Sequence, residues 1–577
     1  MEAVSWVAVW SVFKRPAWFH FLLLPAFLFL PVELYLQVYY GQGISTHHLG
    51  VLAETSPNEA LEFLGNKVWL LAAALSAVVT WFFLTWRAAL RARGLDWSDY
   101  SRWVALGLLL LGLATWTYGN HFGTHEPASH VVDAAAAQES GEEEEVVETD
   151  DTDVANAVAA SADEEVLPKL PAWASIPADK TSFGSSWPFG LVTHAHDFWT
   201  ERKYLAELSD KSRSFRFGAR QDSAQDQPQV VVMVIGESSR FDRWSLNGYK
   251  RETNPLLKTE TNLVSLSNVI TAVSATRLSV PVLVSRKPAT QSLKAGFSEK
   301  SFLTAFKEAG FKTFWLSNQM SFGQFDTPVS VFAEEAHVAQ FLNLGGFTDR
   351  SNLDDVLLAP LHSAIADAAQ KKLIVLHTLG NHWNYSHRYP KEFDRWQPSL
   401  FGVSHPAYTD LQIKTQLNNS YDNSILYTDW FLSQVIDGLK KSDQLTSLMY
   451  VADHGQTLYD GNCSLAFHGH NTQYEFHVPA LVWYSDRYMA AYPHKVAQLV
   501  RRKHARLSTE NVFHSLLDMA DIRYTTEQLE RSFFSTKFKP HKRYVDSYGW
   551  TDYDRASFKG DCREVIAKGK TLPQERH

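Results

Sequence analysis

Two apolar runs of this chain end in side chains that could ligate a metal. Val230 to Ile235 and Gly236 lead into Glu237, which is followed by Ser238, Ser239 and Arg240, and Ser447 to Ala452 lead into Asp453, His454 and Gly455. Parallel strands of an α/β sheet bring their C-terminal ends to one edge, where ligands collect. Two carboxylates and an imidazole there suit a divalent ion of intermediate softness, zinc or manganese rather than calcium. One strand-end acid is as often a helix cap. The Asp453-His454 pair ahead of a glycine shifts the balance toward a metal site.

Histidines recur in loop contexts, at His382, His468, His470 and His477. A lone histidine is more often packed than ligating, but four among Gly, Asn and Pro suggest a second cation or a phosphate-binding rim. A nucleophile is offered between Ile270 and Pro281, where Thr271, Ser274, Thr276 and Ser279 all carry hydroxyls. Each could equally cap or pack a helix, and spacing alone does not choose.

The elements that must position these groups sit in a chain of 577 residues with a net charge of −9, too long for one ordinary domain and without a nucleic-acid signature. Ala17 to Tyr40, Val68 to Trp86 and Trp103 to Phe122 read as membrane spans, giving a transmembrane domain over 1–123. Lys14 and Arg15, and Arg87, Arg91 and Arg93, put their loops in the cytoplasm, so the loop 41–67 and everything after Phe122 lie outside. Residues 124–168 are alanine-rich and acidic, with Glu142 to Glu145 consecutive, and read as a disordered linker. The segment 169–225 carries Trp187 to Gly190 and Phe198 to Leu208, either an interfacial helix or a domain cap. Residues 226–560 alternate apolar runs with amphipathic stretches, the pattern of an α/β layered sandwich, ahead of a tail at 561–577. Candidate strands are Val230 to Ile235, Thr313 to Ser317, Lys372 to Thr378, Leu448 to Ala452 and Ala480 to Tyr484. Candidate helices are Ser301 to Ala309, Asn423 to Lys440 and Glu510 to Ala520. The two cysteines, Cys463 and Cys562, form one bridge or remain thiols.

Gly236 to Pro255 (Gly-Glu-Ser-Ser-Arg, then Trp-Ser-Leu-Asn-Gly-Tyr and Arg-Glu-Thr-Asn-Pro), Asn419 to Asp429, and Asp453-His454-Gly455 resemble the membrane-bound phosphoethanolamine transferases of the alkaline phosphatase and sulfatase superfamily. The resemblance implies an alkaline phosphatase-like α/β/α sandwich with a mostly parallel sheet behind N-terminal transmembrane helices. It implies Zn2+ held by Glu237, Asp453 and His454 with Ser274 as nucleophile and ligand, a second ion or phosphate contacted by His382, His468 and His477, and a lipid head group met by Thr55 and Glu59. The family usually has about five spans and more disulfides, and Val51 stands where it has a head-group Asn.

The same resemblance implies a multi-pass protein of a bacterial inner membrane with its catalytic domain in the periplasm. Phosphatidylethanolamine would be the donor, and lipid A, a core sugar or another outer-surface glycan the acceptor. The hydroxyl would take phosphoethanolamine from the lipid and pass it on. A phosphoglycerol transferase and a non-catalytic lipid-binding membrane scaffold are the alternatives. A formylglycine sulfatase is weaker, since Pro and Arg are missing two and four residues after Ser274.

Overall fold

The computed structural model describes residues 2–40, 43–44, 46–54, 68–122, 186–221, 227–291, 299–319, 328–343, 352–403, 406, 410–547, 549–560 and 562–565. The expected linker at 124–168, the head-group residues Thr55 and Glu59, and most of the tail lie outside these. Two units emerge, Met1–Ser45 with Leu71–Ala195, and Thr46–Leu70 with His196–His577.

The first unit is helical. Among the described residues two helices are long and apolar enough to cross a membrane, Pro16–Val38 and Val68–Arg91. The third expected span is one continuous helix, Tyr100–Phe122. Its apolar stretch from Val104 to Ala114 is short, because Thr115, Thr117, Tyr118 and Asn120 close it. Leu108, Leu110, Leu111 and Leu113 are exposed on it, as lipid-facing residues would be. Polar ties join its helices. Arg102 Nε donates to Ser11 O at 2.7 Å and Trp86 Nε1 to Ala17 O at 3.2 Å.

The second unit is built on an eight-stranded sheet. In chain order its strands are β1 (Gln229–Gly236), β2 (Leu263–Ile270), β3 (Lys312–Ser317), β4 (Val338–Phe341), β5 (Lys371–His377), β6 (Leu445–Ala452), β7 (His477–Tyr484) and β8 (Leu507–Ser508). They lie side by side as β8-β2-β7-β6-β1-β5-β3-β4. β1 runs parallel to β5 and β6, and β3 parallel to β4 and β5, whereas β7 is antiparallel to β2 and β6. Every residue of β1 and β6 is buried, so both sheet faces are covered. Each fully buried Val or Ile of β1 contributes about 1.5–3 kcal/mol by leaving water.

Helices relevant to the site are α1 (Thr46–Glu54), α2 (Thr276–Val284), α3 (Phe302–Glu308), α4 (Lys414–Lys441) and α5 (Asn511–Met519). Ser301 caps α3, its Oγ accepting from Leu303 N at 3.2 Å. The segment 198–208 lies within a longer helix, Phe189–Lys211.

Cys463 and Cys562 are joined, 99 residues apart in sequence. The bridge ties the C-terminal hairpin Phe558–Lys559/Glu564–Val565 to the loop between β6 and β7, and Val565 N and Gln473 N add hydrogen bonds to Asn471 O and Arg563 O at 3.1 and 2.9 Å. Cys463→Ser with Cys562→Ser is expected to cost about 2–5 kcal/mol. The denaturant midpoint of the detergent-solubilised protein reads this, and an unchanged midpoint would show the hairpin holds without its bridge.

Candidate metal and nucleophile site

The site stands at the C-terminal edge of the parallel strands. Gly236 of β1 pairs with Ala452 of β6, so the next residues, Glu237 and Asp453, are neighbours by register. Ile235 pairs with His377 of β5, and His377 with Ser317 of β3, which sends the loops carrying His382 and Gln319 to the same edge. The turn after β1 is tight. Ser238 takes φ 56°, and its N–H donates to Asp453 Oδ1 at 3.0 Å. Tyr421 of α4 clamps this turn, its hydroxyl donating to Ser238 O at 2.7 Å and accepting from Arg240 N at 2.9 Å.

Glu237, Asp453 and His454 are fully buried, with ligand atoms within 4.8 Å of one another. His454 Nε2 lies 3.3 Å from Glu237 Oε1 and 3.6 Å from Asp453 Oδ2. Its Nδ1 faces Gly455 O at 2.8 Å, which turns Nε2 toward the carboxylates. Thr276 completes the group. Its Oγ1 donates to Glu237 Oε2 at 3.0 Å and lies 3.3 Å from His454 Nε2. Gln319 Nε2 donates to the same Glu237 Oε2 at 3.2 Å and to Thr378 O at 2.8 Å.

Charge is the problem these groups pose together. Burial raises the Asp453 carboxyl, and repulsion from Glu237 adds to it, to about 7. Burial also works against the Glu237 charge, but the hydrogen bond and charge of His454 outweigh it and hold that carboxyl well below its usual range. His454 is pushed up to about 10 against burial, by Asp453 and Glu237. Asp453 Oδ2 is buried without a hydrogen-bond partner. An orphaned carboxylate oxygen beside a second carboxylate, an imidazole and a hydroxyl is a donor set that fits a divalent cation.

Ser274, expected as the nucleophile, is not the hydroxyl that meets this cluster. Among the described residues Thr276, and not Ser274, hydrogen-bonds to the cluster. Ala275 is the extended N-cap of α2, so the helix begins at Thr276 and presents its hydroxyl from the first turn. The positive end of the helix also lies there. His382 is half-buried near Glu237 and His454, and the loss of water around its ring lowers it to about 4, toward the neutral imidazole. The His468 ring centroid is 4.6 Å from that of His454. His477 departs from its expected role. It opens β7, stacks on Phe241 at 4.0 Å and has Nε2 3.1 Å from Ser267 O, so packing and a backbone carbonyl occupy it. His470 Nε2 is likewise 2.7 Å from Ala466 O. Among the described residues the only three-ligand group is Glu237, Asp453 and His454.

Gln319, Tyr421 and Asp354 escaped the sequence reading. Asp354 accepts from Leu379 N and Gly380 N at 2.8 and 2.9 Å, and Asn381 N donates to Glu237 O at 2.9 Å, fixing the His382 loop on the backbone of Glu237. Gly380, at φ 49°, lets that loop approach, since a Cβ there would lie 2.9 Å from Glu237 O. Gln319 lies just past the end of β3, so the strand-end rule that finds Glu237 would have found it.

A sulfatase family model matches residues 229–522, more than half of the chain. The chain belongs to the sulfatase family. Within it, the phosphoethanolamine transferase EptC of Escherichia coli O18:K1:H7 is 28% identical over 523 residues, covering 88% of this chain and 80% of that protein. The crystal structure of the C-terminal periplasmic domain of Escherichia coli EptC in complex with zinc is 26% identical, covers 60% of this chain and 98% of that one, and superposes with a TM-score of 0.53. The integral membrane lipooligosaccharide phosphoethanolamine transferase A of Neisseria meningitidis, 20% identical with a TM-score of 0.60, covers 91% of this chain and 88% of its own and shares the fold. The resemblance read from Gly236 to Pro255, Asn419 to Asp429 and Asp453 to Gly455 is borne out, as is the alkaline phosphatase-like α/β architecture.

Metal binding at this sulfatase site has two expected signatures. Chelation of the purified protein is expected to lower its melting temperature, with restoration by zinc, because an ion bound only to the folded state adds its binding free energy to stability; indifference to both would exclude a bound divalent ion. Gly455→Ala is expected to displace His454 and abolish that restoration, since a Cβ at 455 would lie 2.1 Å from Tyr474 O, a backbone atom. Unchanged zinc stabilisation in this variant would show that the segment can shift.

Proposed function

We propose that this sulfatase-family protein transfers phosphoethanolamine from phosphatidylethanolamine to an outer-surface glycolipid, lipid A or a core sugar, with Thr276 as nucleophile. The observation that carries this reading is the Thr276 hydroxyl, 3.0 Å from Glu237 Oε2 and 3.3 Å from His454 Nε2, inside a buried donor set suited to a divalent cation. Similarity over 88% of the chain to a phosphoethanolamine transferase supports the group transferred.

Glu237, Asp453, His454 and Thr276 would hold zinc, which the zinc complex of the related domain favours as the metal. Zinc bound there supplies the positive charge that lowers the pKa of a neighbouring hydroxyl. Thr276 loses its proton and Oγ1 bonds to phosphorus. The phosphorus–oxygen bond to diacylglycerol breaks, and that oxygen takes up a proton. In the second half the acceptor oxygen bonds to phosphorus, the Oγ1–phosphorus bond breaks, and Thr276 regains a proton. His382 and His468 stand where a ring N–H could bind a phosphoryl oxygen. Thr55 and Glu59 remain the proposed head-group contacts. The helices Pro16–Val38 and Val68–Arg91 support membrane residence; the inner membrane, with the catalytic unit in the periplasm, completes the proposal. A formylglycine sulfatase fits poorly, because Thr276 is not the Cys or Ser such conversion needs.

Mass spectrometry of the detergent-purified protein after incubation with phosphatidylethanolamine tests this directly. A phosphoethanolamine adduct is expected on Thr276, retained in Ser274→Ala and absent in Thr276→Ala, with transfer falling by about a thousandfold or more. An adduct that persists in Thr276→Ala and vanishes in Ser274→Ala would restore Ser274 as nucleophile.

A further inference from the structure

The chain between β6 and β7 carries His468, one of the two histidines proposed above to bind a phosphoryl oxygen. After His454 it pairs Thr457–Leu458 with Ala466–Phe467 as a small hairpin, passes His468, and enters β7 through the short helix Gln473–Phe476. The backbone around His468 is unusual. Phe467 takes φ 72° and Gly469 takes φ 88°. Glycine adopts this left-handed conformation freely, but a bulky side chain there is rare and persists only where its surroundings over-determine it. Part of that hold is the Phe467 ring. It packs edge-on to Trp383, with centroids 6.1 Å apart, and against Tyr385 at 6.2 Å, in the loop that carries His382.

Glu475 supplies the rest. Its side chain is fully buried. Oε2 accepts from Gly469 N at 2.8 Å and His470 N at 3.1 Å, and Oε1 accepts from Thr457 Oγ1 at 2.8 Å and Thr472 Oγ1 at 3.2 Å. Successive backbone N–H groups converging in this way make a concavity for an anion, and here the chain's own carboxylate fills it. The main chain of Glu475 has a separate task. Its carbonyl accepts from Gly455 N at 2.8 Å, one residue after His454. The carbonyl thus holds the His454 side of the site and the carboxylate the His468 side, and the two imidazoles end with ring centroids 4.6 Å apart.

We propose that Glu475 is a positioning residue for phosphoryl transfer, its carboxylate fixing the backbone at 469–470 and so setting His468 against His454 before the donor arrives. This rests on the reading of His468 as a phosphoryl contact in the Thr276 reaction. The test is the rate of adduct formation on the full-length protein in mixed micelles with phosphatidylethanolamine, beside its melting temperature with and without zinc. Glu475→Ala is expected to slow the reaction at saturating donor by about tenfold to a hundredfold. Zinc should still raise its melting temperature as much as it raises that of the wild type, because Gly455 keeps its carbonyl partner. Glu475→Asp, one methylene shorter, draws the 469–470 segment inward and should be slow as well, which keeps the test open if Glu475→Ala folds poorly. Glu475→Gln should recover most of the loss, since its amide oxygen can face Gly469 N and His470 N while its NH2 donates to the two threonine hydroxyls. In a His468→Ala background Glu475→Ala should cost little more, because both act through one imidazole. A wild-type rate in Glu475→Ala or Glu475→Asp, or losses that multiply in the double variant, would overturn the inference. So would a Glu475→Gln as slow as Glu475→Ala, which would make the charge and not the placement matter. A wild-type rate in His468→Ala, or no adduct on the wild-type protein, would instead overturn the reading on which the inference rests.

Discussion

Two carboxylates forced together away from water govern the design of this site. Register places Glu237 and Asp453 at adjacent strand ends, and neither can retreat to solvent. Like charges buried side by side are costly, which is why the Asp453 carboxyl is pushed up to about 7, by burial first and by Glu237 second. His454 offsets part of this when protonated, yet Asp453 Oδ2 still lacks a hydrogen-bond partner. A divalent cation would resolve what the protein groups leave open, and the ion that serves the chemistry would then also stabilise the fold.

Much of the surrounding sequence holds this arrangement rather than taking part in it. Arg243, Tyr249 and Arg251 all converge on Asp422 of α4, at 3.2, 2.8 and 2.7 Å. Asp429, further along the same helix, accepts from Leu256 N and Leu257 N. Arg240 is buried between Asp242 and Asp460, 2.7 and 2.9 Å away, over the ring of Tyr474. The stretches Gly236 to Pro255 and Asn419 to Asp429 are thus two sides of one polar network. Their value as family marks comes from interlocking. A buried network works only when every member is satisfied, so its parts are specified together.

How far the sequence could be read depended on the kind of signal. Strand-end ligands were legible because β1 and β6 are apolar along most of their length and stop abruptly at charge. Strand β2 was not, since Ser265, Ser267 and Asn268 interrupt it and its partners lie far away in sequence. α4 begins well before its apolar pattern does, in polar residues that serve the network. Which hydroxyl meets the cluster turns on where α2 starts, and an extended Ala275 leaves no mark in composition. His477 shared its loop context with His468, but stacking on Phe241 and the carbonyl of Ser267 are tertiary facts. What demands glycine at 455 is the nearness of Tyr474 O, 2.1 Å from where a Cβ would lie.

Glu237, Asp453 and His454 are held to bind a cation against the Thr276 hydroxyl, and anomalous diffraction at the zinc edge from crystals of the zinc-loaded protein would test this most directly. One anomalous peak is expected, bounded by Glu237, Asp453, His454 and Thr276 Oγ1, with ligand distances of about 2.0–2.2 Å. A peak elsewhere, or a zinc at the carboxylates with Ser274 rather than Thr276 beside it, would contradict it.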